Sequence, residues 1–187
     1  MKKYISLIVL LSLFVIGCSE QSSINAPVNN LNTNEPNWIA LPQAEGLSVN
    51  KDFSSSKYIS GRNGGIISLN ESYYSRQLGR VTIEVETEFP RYSFWGDKYI
   101  TMVVDDATCT ATFSPHMVFR KDVIFNATFT GVNLDKVSPS NVKFAYLAED
   151  GSVEYAENDG ITVDKSRGKL VIKNAKIPHF SRYGFVN

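Results

Sequence analysis

Val81-Thr82-Ile83-Glu84-Val85-Glu86-Thr87-Glu88-Phe89 changes character at every residue. Val81, Ile83, Val85, Thr87 and Phe89 form one apolar set, and Thr82, Glu84, Glu86 and Glu88 form a polar one. Successive side chains of a strand point to opposite faces, so this stretch reads as a strand with one side in a core and one in water. The same two-residue period recurs downstream. Residues 99–104 and 107–113 flank Asp105-Asp106 and read as a hairpin. Val123, Phe125, Ala127 and Phe129 form a further apolar face, stopped by Gly131. Val142, Phe144, Tyr146 and Ala148 run into Glu149-Asp150-Gly151-Ser152, where Asp-Gly supplies a tight turn before residues 153–156 return. Residues 161–164 and 169–173 make a last hairpin around Lys165-Ser166-Arg167-Gly168. No window of the ~11 residues or more that a helix signal needs carries a helical stripe. The expected fold is all-β: an antiparallel, immunoglobulin-like sandwich of two sheets sharing one core.

Composition agrees with a single domain. The 187 residues are 43% hydrophobic and 20% charged, and 19 Lys plus Arg balance 19 Asp plus Glu. A chain without basic excess is poorly suited to neutralising a phosphate backbone, so no nucleic-acid partner is expected.

Upstream of the body the chain reads as an address. Lys2 and Lys3 precede the apolar run Ile5-Ser6-Leu7-Ile8-Val9-Leu10-Leu11-Ser12-Leu13-Phe14-Val15-Ile16, which ends at Gly17-Cys18. This is the layout of a signal peptide over residues 1–17, and the run falls short of the about 20 apolar residues of a spanning helix. Residues 18–36 are rich in Asn and Ser without period and read as a tether whose reach is roughly 20–25 Å. The sandwich is expected over 37–187, with Trp38, Ile39 and Leu41 as its first packing residues.

Val15-Ile16-Gly17-Cys18 resembles the lipobox of bacterial lipoproteins. The resemblance implies cleavage before Cys18, acylation of that cysteine, and membrane anchoring in the cell envelope. Ser19, where an aspartate would signal inner-membrane retention, implies delivery to the outer membrane. Two or three acyl chains hold firmly where one holds marginally. With Cys18 modified, Cys109 has no partner for an intramolecular disulfide. It alternates with Ala107, Ala111 and Phe113, which points to a small buried group rather than a nucleophile.

A second resemblance covers about 58–185. The segments Gly64-Gly65-Ile66-Ile67-Ser68-Leu69, Val81-Thr82-Ile83-Glu84-Val85, Phe113-Ser114-Pro115-His116-Met117-Val118-Phe119-Arg120-Lys121-Asp122-Val123 and His179-Phe180-Ser181-Arg182-Tyr183 are similar to the ZU-five domain. That family implies a β-sandwich. The Pro-Pro-Gly-Ala segment usual after the strand matching Val81 is replaced by Phe89-Pro90-Arg91-Tyr92-Ser93. Some members cut themselves at His-Phe-Ser, which would assign His179 as the assisting base and Ser181 as the attacking hydroxyl. Other members keep these residues in structural roles, the reading preferred for this chain.

Other catalytic constellations are weak. His116 and His179 lie far apart in sequence without zinc spacing, and no P-loop, nucleophile elbow or dinucleotide fingerprint occurs. Asp105-Asp106, Glu149-Asp150 and Glu157-Asn158-Asp159 follow no calcium-loop pattern and are explained by turn chemistry. Glu84 and Glu86, about 7 Å apart by strand geometry, read as a solvated face. No cofactor, metal or enzymatic activity is expected.

The aromatic residues Tyr73, Tyr74, Tyr92, Phe94 and Trp95 crowd the segments around the Val81 strand. Of these, Tyr73, Tyr74, Tyr92 and Trp95 are candidates for stacking on a sugar or anchoring a protein partner. The alternative is that Phe94 and Trp95 close the open end of the sandwich. The expected function is a non-catalytic structural or protein-interaction module, with glycan binding as the competing reading.

Overall fold

The computed structural model describes residues 36–45, 53–148 and 151–187. The stretches read as a signal peptide and as a tether up to residue 35, Cys18 among them, and the Glu149-Asp150 pair lie outside the described residues. Among the described residues there are eleven strands: β1 (Phe53–Ser60), β2 (Gly65–Ser75), β3 (Gly79–Phe89), β4 (Asp97–Val104), β5 (Thr110–Ser114), β6 (Val118–Thr130), β7 (Lys143–Leu147), β8 (Val153–Tyr155), β9 (Gly160–Asp164), β10 (Lys169–His179) and β11 (Arg182–Val186). They form two antiparallel sheets, of order β1-β4-β5-β11-β7-β8 and β2-β3-β6-β10-β9. The sandwich read from the alternation is the fold.

The inner faces carry the alternating sets. Val81, Ile83, Val85, Thr87 and Phe89 of β3 are buried, as are Val123, Phe125, Ala127 and Phe129 of β6. The Thr87 hydroxyl is satisfied inside the core by donating to Met102 Sδ at 3.4 Å. β10 keeps its apolar side inward past Lys173 by a bulge between Ile172 and Ala175, where Asn174 takes a φ of 50°. The Asn126 side-chain carbonyl accepts from Asn174 N at 2.9 Å, fixing the extra residue so that Ala175 and Ile177 return to the core. Gly131 ends β6 for a steric reason as well: its φ is +80°, and a Cβ there would meet Arg80 O at 2.6 Å.

Two local expectations change. The β4–β5 connection is longer than Asp105-Asp106, because β5 begins only at Thr110. Asp105 Oδ1 accepts from Ala107 N, Thr108 N and the Thr108 hydroxyl, which winds those residues into a turn instead of a strand. Cys109 is buried, as its neighbours imply, but Thr110 is buried beside it.

The register gives the sandwich two distinct ends. One end collects residues 61–64, 90–96, 115–117 and 180–181, and the other collects 76–78, 105–109, 131–142, 165–168 and Asn187. At the second end, residues 38–41 fill the fork where β5 and β11 part: Trp38 bridges Val186 and Ala40 bridges Thr108. Ile39 and Leu41 are buried there, and Asn37 Nδ2 donates to Asn187 O at 3.0 Å. The chain then crosses to the other sheet, where Tyr73 donates its hydroxyl to Pro42 O and Glu45 N donates to Tyr74 O. This is called the strap end below, and the opposite one the aromatic end.

Candidate aromatic binding end

The turn between β3 and β4 is held from several sides. Tyr92 N donates to Gly61 O at 2.7 Å, Gly61 N to Gly96 O at 2.9 Å, and Arg120 N to Ser93 O at 2.7 Å. A Cβ on Gly61 would lie 2.3 Å from Phe94 O, so only glycine lets these two loops approach so closely. Phe94 turns inward and meets the edge of Phe89 at 6.1 Å. Ser93 is fully buried, its hydroxyl without a partner among the described residues. Tyr92 takes a φ of 65°, an uncommon conformation for a bulky residue that surrounding contacts must enforce.

Ser93 and Phe94 turn in, while Tyr92 and Trp95 on either side of them face solvent. Trp95 is 72% exposed and Tyr92 46% exposed. Phe94 therefore caps the core as the closing alternative requires, whereas Trp95 does not. Each exposed ring carries a cation: the Arg120 guanidinium carbon lies 4.3 Å from the Trp95 ring centroid, and Lys121 Nζ lies 5.9 Å from that of Tyr92. Lys121 also donates to Arg91 O at 3.1 Å, tying the start of β6 to the turn. At the same end, Tyr58 of β1 and Tyr99 of β4 face each other across the ladder, their rings 5.0 Å apart and both exposed.

The four candidate aromatics do not form one site. Tyr73 and Tyr74 stand on β2 opposite Val81 and Arg80, not in a loop, whereas Tyr92 follows Phe89. Val81 and Phe89 are eight residues apart along β3, about 27 Å at ~3.4 Å per residue. Tyr73 belongs to the structure of the strap end, stacked on Phe53 at 5.5 Å, and burial pushes its hydroxyl pKa up. Tyr74 is exposed but remote from Trp95. Arg120, Lys121, Tyr58 and Tyr99 escaped the sequence reading. Arg120-Lys121 carried a local signal as adjacent cations, but the Tyr58–Tyr99 pair exists only through strand register.

His179, Phe180 and Ser181 lie at the turn from β10 to β11. Phe180 is buried, stacked on Phe113 at 5.0 Å and meeting the edge of Phe119 at 4.8 Å. Ser181 Oγ donates to Leu147 O at 2.6 Å. Its proton is thus engaged by a carbonyl across the sheet, while His179 Nδ1 lies 3.4 Å from Phe180 O. The His179 ring packs edge-on against Tyr146, whose hydroxyl donates to Glu154. Burial, reinforced by that hydrogen bond, pushes the Tyr146 hydroxyl up to about 12. Tyr183 donates to His179 O at 2.7 Å, pinning the turn. The arrangement supplies bracing to this turn and, among the described residues, no hydrogen-bonded base to Ser181.

The remaining candidates are occupied or exposed. Burial pushes the Cys109 thiol up, away from the reactive thiolate. His116 is exposed in the turn after β5. Glu157 pairs with Lys176 at 2.8 Å, and Asp159 accepts from Asn174 Nδ2 at 2.7 Å. Glu84 and Glu86 are exposed on the outer face of the five-stranded sheet, in a cleft of about 360 Å³ shared with Ser68, Asn70, Asn126 and Thr128. Among the described residues, no three His, Cys, Asp or Glu side chains gather where a metal could be held. No family model, curated protein or solved structure matches the chain.

Proposed function

We propose that this chain is a bacterial envelope lipoprotein, tethered through Cys18, whose ZU-five-like sandwich is a non-catalytic interaction module. One observation carries the reading: the body receives residue 36 beside Asn187 at the strap end, while the exposed Trp95 and Tyr92 stand at the opposite end. A body held at the strap end presents the aromatic end away from the membrane. The roughly 20–25 Å tether would add clearance from the headgroups. Ser19 following Cys18 favours the outer membrane. The His179-Phe180-Ser181 turn is structural on this reading, since the Ser181 hydroxyl is spent on Leu147.

The test is the intact mass of the full chain expressed in a host with lipoprotein processing, together with its partition into detergent. The expected mass is that of residues 18–187 plus acyl groups, with Cys18→Ala leaving an unacylated protein in the aqueous phase. An unmodified Cys18 would overturn the anchor. Loss of residues 181–187 that Ser181→Ala abolishes would overturn the non-catalytic assignment.

A further inference from the structure

We infer that the aromatic end binds an acidic polysaccharide, one bearing carboxylates on its sugar rings, with Trp95 and Tyr92 as stacking platforms and Arg120 as the carboxylate fork. This names the ligand class of the interaction module proposed above and rests on that reading. Arg120 and the Trp95 ring form a cation–ring pair. At 4.3 Å from the ring centroid, Arg120 is attracted by the indole face. A guanidinium held this way keeps in-plane N–H donors at its edge, and that planar fork matches a carboxylate in bidentate fashion.

Among the described residues, no carboxylate pairs with Arg120, Arg91 or Lys98. Within the two segments that build the end, residues 89–99 and 118–122, the cations Arg91, Lys98, Arg120 and Lys121 outnumber the anions Asp97 and Asp122. The chain as a whole is neutral, so this excess is local.

The rings distinguish a glycan from a protein partner. A protein hot spot sets its aromatic anchor inside a rim that excludes water. Trp95 and Tyr92 instead stand in solvent, flanked by cations, with Val118 the exposed aliphatic side chain closest to them in sequence on β6. Flat, wet rings beside a guanidinium that no carboxylate pairs with among the described residues suit a ligand that offers C–H faces and carboxylates at once. The backbone bonds of the turn and the inward anchor of Phe94 fix the platforms beforehand, so little ordering is left to the moment of binding.

The experiment uses the full acylated protein in detergent micelles. Its tryptophan fluorescence is followed on titration with polygalacturonate, a neutral dextran, poly-glutamate and vesicles of phosphatidylglycerol. Polygalacturonate is expected to shift the emission and to bind at least tenfold more tightly than dextran, with affinity falling as salt rises. Isothermal titration calorimetry of the variants should show Trp95→Ala and Arg120→Gln each weakening binding tenfold or more, Arg120→Lys less, and Tyr74→Ala not at all. Unchanged thermal melting would separate these losses from misfolding.

Equal binding of dextran, preference for poly-glutamate or vesicles, failure to bind polygalacturonate, or indifference to Arg120→Gln would each overturn the inference. The anchor is judged separately by mass, so an unacylated protein that still binds polygalacturonate would sink the lipoprotein reading alone.

Discussion

At the strap end of the sandwich, residues 38–41 fill the fork between β5 and β11, and Tyr73 is stacked on Phe53 and hydrogen-bonded to Pro42. At the aromatic end the rings divide into two populations. Phe89, Phe94, Phe113, Phe119 and Phe180 turn inward and meet edge-on or stacked, while Tyr92 and Trp95 are held out in water by the same turn that sends Phe94 in. Aromatic content alone does not separate buried rings from exposed ones in this protein. In this turn the inner rings meet one another and the outer two each meet a cation, and substitutions at the two ends can test that distinction.

The largest effect is expected from Phe180→Ala. Removing a buried ring that touches Phe89, Phe113 and Phe119 should cost about 3–5 kcal/mol, read as a lowered midpoint in chemical denaturation. A cost under ~1 kcal/mol would mean that the inner rings are not the support of the aromatic end. Gly131→Ala, at the strap end, should cost about 2 kcal/mol. The left-handed backbone is unfavourable for alanine, and the new methyl would press on Arg80 O. If it folds as stably as the parent, the close approach of β3 and β6 there is not tight.

Tyr183→Phe comes next, at about 1 kcal/mol for the lost bond to His179 O. It also has a pH signature. Burial raises the Tyr183 pKa, so the folded protein keeps a proton that the unfolded chain releases above pH ~10. Tyr183 therefore contributes its full stability below pH ~10 and loses it progressively as pH rises further. The phenylalanine variant should show a shallower alkaline decline in denaturation midpoints between pH 9 and about 11; an unchanged slope would remove Tyr183 as a source. The smallest effect is reserved for Trp95→Ala, within ~0.5 kcal/mol, because its ring lies mostly in water. A larger loss of stability would show Trp95 to be part of the closure of the end after all.

The strands that alternate strictly were legible because the information is local. Val81 to Phe89 and Val123 to Phe129 each state their own inward face. β1 offers no such statement: Phe53, Ser55, Lys57 and Ile59 share its inward side, and an edge strand tolerates that mixture. The bulge at Asn174 was equally silent, being fixed by Asn126 on another strand. For the candidate site, the exposure of Trp95 was left open against its closing the end, and only the crowding of aromatics around the Val81 strand was readable. The separation of Tyr73 from Tyr92 was not, because it depends on the β2–β3 register, which sets Tyr73 against Val81 at the far end of the ladder. Nor was the Arg120 partnership, which requires β6 to begin beside Ser93.

The placement of Trp38 and Trp95 at opposite ends also has a mechanical meaning. Ladder hydrogen bonds lie across the strands, so a pull applied at the Trp95 turn and resisted at Trp38 runs lengthwise along β4 and its neighbours. Such a load shears many bonds together instead of peeling them singly from one edge. A sandwich loaded between these two points would resist in shear.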